Sequence, residues 1–333
     1  MRVAIVIVSW GIGGSEKRYA NIYNFLSQHS EYEYTLVINN YLVNLLQSDA
    51  GVSLSKPENV LRLFDKGFSK RFDRPLPTAY KNGGILAGII NFLIALIYQL
   101  GYVIGLMGAS NNLRQQDFDV VHYVFPYLGQ YLDFIIKKPK VLACQNVELK
   151  STLLKNRFYK KALQTKGFFD IVSEQMKMII TEELAINDDF RLRVYPCSFV
   201  DYEKTYIVPK EQLITHVGRT VAVKNPHLFV EAINQVEKVF PQIKAYMLGR
   251  GILDKQIDEL IERYELQNVI TKKFHPQPEE VLSRSLVYVT AQSFDNYSNQ
   301  TLREAMACGC AIVATDVGNT WRLVDEKVRF SCS

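Results

Sequence analysis

The sequence predicts an α/β fold of two doubly wound, Rossmann-like domains. Three observations carry the prediction. Short apolar runs recur along the whole chain, helix-length stretches separate most of them, and the first run ends in a glycine turn that opens into a helix. Val3 to Val8 has no polar side chain and reads as a buried strand. Gly11-Ile12-Gly13-Gly14-Ser15 follows, then Glu16 to Leu26 with Tyr19, Ile22, Tyr23 and Leu26 at helical spacing. Further strands are expected at Tyr34–Ile38, Val120–Phe125, Lys140–Cys144 and Phe169–Val172. In the second half they are expected at Leu213–Val217, Ile243–Leu248, Val269–Thr271, Leu286–Thr290 and Cys310–Ala314. Between the halves, polar residues interrupt the pattern from Pro196 to Pro209, which divides the chain into domains over 1–203 and 204–333.

Composition narrows the class. Of 333 residues, 48% are hydrophobic and 22% charged, which excludes general disorder, collagen and coiled coil. A net charge of +5, from 39 basic and 34 acidic residues, is too mild for a nucleic-acid binder. The five cysteines (Cys144, Cys197, Cys308, Cys310 and Cys332) are odd in number and form no CxxC pair. They argue against a disulfide framework or structural zinc and fit a reducing cytoplasm. The apolar run after Met1 is too short for a signal-peptide core, so folding is expected to start at residue 1.

One segment breaks the rhythm. Asn82 to Leu113 carries no charge, and 84–108 is almost wholly apolar. As a helix those residues would extend about 37 Å, enough for a bilayer core. A span is awkward, however, because strands on both sides belong to one sheet. Gly84, Gly88, Asn91, Ala95, Gln99, Tyr102 and Gly105 fall on one face, where Leu106 is the only bulky aliphatic intruder. Such a face suits close packing on protein, leaving a greasy face for lipid or core. Just ahead, Lys66, Lys70, Arg71, Arg74 and Lys81 interleave with Phe64, Phe68, Phe72 and Tyr80, as an anionic membrane surface favours. Peripheral membrane contact is one reading; a buried helix with a solvated loop is the other. The acid-free basic stretch Lys150 to Lys166 is either a solvated helix face or an attractor for an anionic acceptor or headgroup.

The chemistry concentrates in the second half. Gly218-Arg219 ends a strand, and Lys224-Asn225 opens the next helix. A guanidinium and an ammonium beside a helix N-terminus suit a diphosphate, although two solvated cations would show the same spacing. A second helix is expected to start near Ser298 or Asn299, with N–H groups around Gln300, Thr301 and Leu302 able to hold a phosphate. Glu304, about one turn on, has the two acceptors needed for vicinal ribose hydroxyls, or is a solvated helix residue. His122 is expected near a strand end, either polarising a sugar hydroxyl or acceptor, or filling space as a hydrogen-bonded histidine. The only DxD, Asp117 to Asp119, leads into a strand instead of closing one, and is not read as a metal site.

Together these stretches resemble the GT-B-fold retaining glycosyltransferases, in particular glycosyltransferase family 4, the glycosyl transferases of group 1. The resemblance runs from Met1 to about Val324 and is most specific over Arg303 to Gly318. Its weaker parts are Gly13 to Glu16, Asp119 to His122, Pro196 to Asp201, Gly218 to Asn225 and Gly249 to Gly251. It implies two such domains facing a cleft, with Arg219 and Lys224 neutralising the donor diphosphate and Glu304 holding the ribose. Gly13 and Gly14 would approach the pyrophosphate or the acceptor. The family's first acidic position falls on Asn296 here, and Asp295, one residue back, is the nearest acid and the expected sugar-side equivalent. Gln145-Asn146 stands where relatives often have a histidine. The family continues past the equivalent of Val324, so the C-terminal domain is expected to be incomplete.

The resemblance implies sugar transfer from a nucleotide-diphosphate donor to a glycan or polyprenyl-linked acceptor, with retention and without metal or cofactor. The setting would be surface polysaccharide assembly at the cytoplasmic face of the cell membrane, with no nucleic-acid partner. His122, Asp295 and Glu304 are the catalytic candidates; Gly13, Gly14, Arg219, Lys224, Asn299, Gln300, Thr301, Leu302 and Glu304 are those for donor binding. A sugar-nucleotide epimerase and a non-catalytic nucleotide-sugar-binding protein on the same scaffold remain alternatives.

Overall fold

Arg2–Ile7 forms the strand around which the first sheet winds in the computed structural model. The structure describes residues 1–65, 67–75, 85–124, 132, 136–144, 167–184, 191–195, 199–200, 202, 205, 208–293, 297 and 299–324. The chain divides into compact units at Tyr195/Pro196, ahead of the expected 203/204 boundary.

Unit 1 opens with β1 (Arg2–Ile7), α1 (Gly14–His29), β2 (Glu33–Asn39), α2 (Asn40–Ala50) and β3 (Val60–Leu63). It continues with α3 (Ile85–Gln115), β4 (Val120–Tyr123), β5 (Lys140–Cys144), β6 (Phe168–Ile171), α4 (Glu174–Leu184) and β7 (Leu192–Val194). All seven strands are parallel, in the order β3-β2-β1-β4-β5-β6-β7. The winding reverses between β1 and β4, where Ile5 lies beside His122. Because side chains alternate across a pleated strand, Ala4, Val6, Val121, Tyr123, Leu142 and Phe169 share one core. His122, Ala143 and Asp170 point to the other face, which α1 approaches with Tyr19.

The apolar segment is α3. Its last turns join the core through Leu106 and Leu113, and aromatic rings seat its middle. A Cβ at Gly101 would overlap the Phe72 ring, and one at Gly105 would overlap Phe64. Burying each ring this way contributes roughly 1.5–3 kcal/mol. Tyr98 stacks edge-on to Phe72 and Tyr102 lies flat on Trp10, with ring centroids 5.4 Å and 4.7 Å apart. The protein-facing side therefore centres on Tyr98, Gly101 and Gly105. Asn91, Ala95 and Tyr102 of the expected small face turn inward with it, whereas Gly88 and Gln99 are exposed.

Unit 2 holds β8 (Glu211–Val217), α5 (Pro226–Val239), β9 (Lys244–Leu248), α6 (Asp254–Arg263) and β10 (Ile270–Lys273). Then come α7 (Glu279–Arg284), β11 (Ser285–Thr290), α8 (Gln300–Ala307) and β12 (Ala311–Ala314). Five parallel strands run β10-β9-β8-β11-β12, reversing between β8 and β11. Phe229, Val230 and Ile233 of α5 and Ile257 and Ile261 of α6 pack with Ile214, Ala245 and Met247. Leu302 and Ala305 of α8 pack with Leu282 and Tyr288.

The chain enters β8 through Lys210, whose Nζ donates to the carbonyls of Leu282 (3.4 Å), Ser283 (2.9 Å) and Cys308 (2.5 Å). One ammonium thus caps the C-terminal ends of α7 and α8, where carbonyls lack helical partners and the dipole favours a cation. Lys210→Met should destabilise unit 2 by about 1–3 kcal/mol, the cost of leaving such acceptors unmet, read as a lower urea midpoint at unchanged slope.

Candidate functional site

At the point where β8 and β11 lie side by side and the winding reverses, the loops leaving their carboxyl ends part, opening the crevice where open α/β sheets bind ligands. The loop after β8 carries Gly218 to Asn225. Gly249 approaches it from β9 at φ 153°, where a Cβ would overlap the Gly218 carbonyl. Gly251 does the same against the Thr220 carbonyl. Thr220 also donates its hydroxyl to Asp254, which accepts from Gly251 N at 3.0 Å and faces Lys272 at 3.4 Å.

The far side of the loop is fastened to the chain after β11. Asn225, in the left-handed region at φ 44°, donates from Nδ2 to Ala291 O at 2.9 Å. Ser293 N donates to Val223 O at 3.1 Å, and Lys224 Nζ donates to Gln292 Oε1 at 3.0 Å. Gln292 is buried, and its carbonyl accepts from the Thr315 hydroxyl at 2.7 Å. Lys224 is therefore held by its neighbours, while Arg219 stands exposed nearby.

Among the described residues, no carboxylate bridges either cation. Burial, and then the Arg219 charge, lower the Lys224 pKa from 10.5 to about 8. Beneath them His216 is fully buried, with Nδ1 3.0 Å from Val289 O and Nε2 lacking a hydrogen-bond partner. Burial drives its pKa from 6.5 to about 4; the Val289 carbonyl opposes the shift, and Lys224 adds to it. A neutral imidazole under two cations keeps the local charge at two. Nothing in its strand setting singled this histidine out from sequence.

The second arm begins after β11. Asn299 caps α8, its Oδ1 accepting from Leu302 N at 3.3 Å and from the Thr301 hydroxyl at 3.0 Å. Thr301 also meets the Tyr288 hydroxyl at 2.8 Å, tying the helix start to β11. The cap occupies Leu302 N; Gln300 and Thr301 are the N–H groups ahead of the helical ladder. The Gln300 amide is a brace, bonding Phe199 O and N and donating to Glu304 Oε1 at 3.0 Å. Glu304 is 4% exposed, so it is no solvated helix residue. Both arms share the carboxyl edge of adjacent strands, joined through Gln292. Asp295 lies outside the described residues, as do Asn296, Gln145-Asn146 and the basic stretch 150–166.

Unit 1 has its own cluster at its switch point. Gly13 caps α1 and Gly14 begins it, with Lys17 N donating to Gly13 O at 3.2 Å. The Glu16 carboxylate folds back over this loop, accepting from Ser9 Oγ at 2.8 Å and lying 3.2 Å from where a Gly13 Cβ would stand. His122 Nε2 is 3.4 Å from Asp170 Oδ2, within ion-pair range but without hydrogen-bond geometry. Asp170 accepts from the Tyr19 hydroxyl at 2.8 Å, and Tyr19 sits edge-on to the imidazole at 5.5 Å. The sequence marks Tyr19 only as part of a helix face and gives no sign of Asp170; the small Ala143 on the intervening β5 lets His122 and Asp170 meet across that strand. The DxD acids are occupied: Asp117 pairs with Lys138 at 2.7 Å, and Asp119 accepts from Arg2 N at 2.7 Å.

Residues 201–331 match the profile of the family described as "Glycosyl transferases group 1". The match falls within the C-terminal unit. Within curated proteins, this chain is 31% identical over 111 residues to a Campylobacter jejuni protein. That protein is an N-acetylgalactosamine-N,N'-diacetylbacillosaminyl-diphospho-undecaprenol 4-alpha-N-acetylgalactosaminyltransferase, and the match covers 33% of this chain and 29% of the relative. It is also 30% identical over 143 residues to the D-inositol 3-phosphate glycosyltransferase of Paenarthrobacter aurescens, covering 40% and 35%. The chain thus spans about a third of the length of the curated relatives it matches. Anabaena Alr3699/HepE in complex with UDP and glucose aligns over 98% of this chain and 83% of its own at TM-score 0.65 and 16% identity. A mutant of S. aureus TarM, solved with UDP, aligns over 98% and 88% at TM-score 0.69 and 12% identity. The two α/β units have the GT-B fold of these glycosyltransferases.

The low Lys224 pKa has a directional consequence. An anion at the site recruits the protonated amine, so pyrophosphate affinity should be highest below about pH 8 and fall as the pH rises through it, by up to roughly tenfold per unit. Titration calorimetry from about pH 6.5 to 9.5 reads this, and Lys224→Arg should flatten the profile because arginine stays charged. Stability moves the opposite way. The unfolded chain holds more protons between about 8 and 10.5, so the cost of burying this cation is full below that window and relieved as pH rises across it.

Proposed function

We propose that this chain moves a sugar from a nucleotide-diphosphate donor to a glycan or lipid-linked acceptor, with retention, in surface polysaccharide biosynthesis at the cytoplasmic face of the cell membrane. The observation that carries the reading is Lys224, stitched into the switch point through Gln292, with exposed Arg219 close by and no carboxylate bridging either cation among the described residues. Two positive charges in a crevice favour an anion, and a diphosphate supplies two phosphates to meet them.

The reaction is the one that the family resemblance implies. The bond from the sugar C1 to the β-phosphate oxygen breaks, and a bond from the acceptor oxygen to C1 forms on the same face. The acceptor proton passes to the departing phosphate. Negative charge grows on the diphosphate as it leaves; Lys224, already desolvated and held by Gln292, and Arg219 beside it stabilise that charge. Side-chain cations meet that charge, so this reading assigns no metal ion. Glu304, with one carboxylate oxygen facing Gln300, is assigned to the ribose hydroxyls, which a carboxylate accepts from. Asp295 is assigned the sugar-side contact from the family spacing. In unit 1 the Glu16 carboxylate lies beside Gly13, and that loop is assigned to the acceptor. His122, 3.4 Å from Asp170, is assigned to the acceptor hydroxyl. The names of the relatives are in keeping with these choices: one specifies a diphospho-undecaprenol acceptor, and another was solved with UDP and glucose.

Lys224→Ala and Glu304→Ala should each weaken nucleoside-diphosphate binding by about 1–3 kcal/mol, measured by calorimetry with a panel of nucleoside diphosphates. Both variants binding as tightly as the parent would falsify the donor assignment. Binding without transfer to any acceptor would leave a nucleotide-sugar-binding protein, and donor turnover with no acceptor present would indicate an epimerase.

A further inference from the structure

The apolar window Leu86–Met107 of α3 has a mean hydropathy of 2.0, yet only 22% of it is buried. Its exposed large side chains include Leu86 (71%), Phe92 (66%), Ile97 (57%), Leu100 (56%) and Met107 (60%). At 100° per residue these fall within an arc of about 140°, opposite Tyr98, Gly101 and Gly105. The window is about 33 Å long. An unbroken apolar strip of that length and width is far larger than a monomeric soluble surface normally carries.

The occupant is identified by charge and by connectivity. Asn82 to Leu113 has no charged residue, so the strip offers nothing to pair with a polar protein surface. Exposed Lys70, Arg71 and Arg74 lie in the segment that seats α3 through Phe64 and Phe72. Arg74 is anchored to the helix itself, donating from Nε to the Tyr98 hydroxyl at 2.7 Å. Of the acids in that stretch, Asp73 is taken by Asn39 Nδ2 and Tyr41 N, leaving Asp65 exposed. Greasy side chains flanked by basic ones match acyl chains under anionic headgroups.

A transbilayer course is ruled out by topology. β3, before α3, and β4, after it, are strands of one sheet, and the middle of the helix packs on its own unit. We propose that α3 docks in the plane of an anionic lipid surface, outward arc down, with Lys70, Arg71 and Arg74 at headgroup level. Trp10, stacked on Tyr102, places the Gly11–Gly14 loop of unit 1 next to that boundary. Vesicle binding is read without donor or acceptor, so this inference stands or falls apart from glycosyl transfer.

The test is co-sedimentation of the full chain with phosphatidylcholine vesicles, with and without phosphatidylserine. Binding is expected at low salt, stronger on the anionic vesicles and weakened by added salt. Ile97→Glu with Leu100→Glu, both at exposed positions, should lower the bound-to-free ratio by about tenfold or more while leaving the circular dichroism and thermal midpoint unchanged. Lys70→Glu with Arg71→Glu should abolish the preference for phosphatidylserine. No vesicle binding at low salt overturns the proposal, as does parent-like binding by the double glutamate variant. A solution dimer that ignores vesicles and separates in that variant would assign the strip to a second copy. Protease protection of a segment on the far side of the vesicle would overturn the in-plane course.

Discussion

The site of unit 2 depends on three hydrogen bonds that cross its switch point: Lys224 to Gln292, Asn225 to the Ala291 carbonyl, and Ser293 to the Val223 carbonyl. Loops at such a crevice diverge by topology, so their separation has to be fixed by something other than the sheet. Here the fastening is polar and directional. It turns two loop segments into one rigid ledge, and Asn225 accepts a left-handed backbone to reach its partner.

That rigidity has an electrostatic price. Lys224 and Arg219 sit close enough to repel, His216 is buried below them, and the desolvated ammonium holds its proton less firmly. A site preorganised for an anion is necessarily uncomfortable without one. On the proposed reading, the same discomfort would favour dianionic groups over neutral sugars of similar size. In unit 1 the balance is reversed: Glu16 and Asp170 supply the negative charge, and Tyr19 and His122 surround it.

Much of this was legible in the sequence. Central strands read clearly because both faces are buried and their apolar runs are uninterrupted, as in Val3 to Val8. The strands missed, β3 and β7, are the two edges of the first sheet, short and with outward charges at Arg62 and Arg193. Asn299 declared itself as a cap through its residue type, and Arg219 and Lys224 through their spacing from a strand end. The contacts of Gln300 did not, because a brace to Phe199 joins residues a hundred positions apart. His216 and Asp170 stayed hidden for the same reason: their partners lie on other strands, and register is what brings them together.

Two glycines decide how α3 can evolve. Rings from Phe64 and Phe72 occupy the space that side chains at Gly105 and Gly101 would need, so the helix is keyed against rolling about its axis. Drift among its outward residues is then silent to the fold as long as hydrophobicity is kept. A single methyl at either socket would instead tilt the rod and, through Tyr102, shift Trp10 and the turn it leads into.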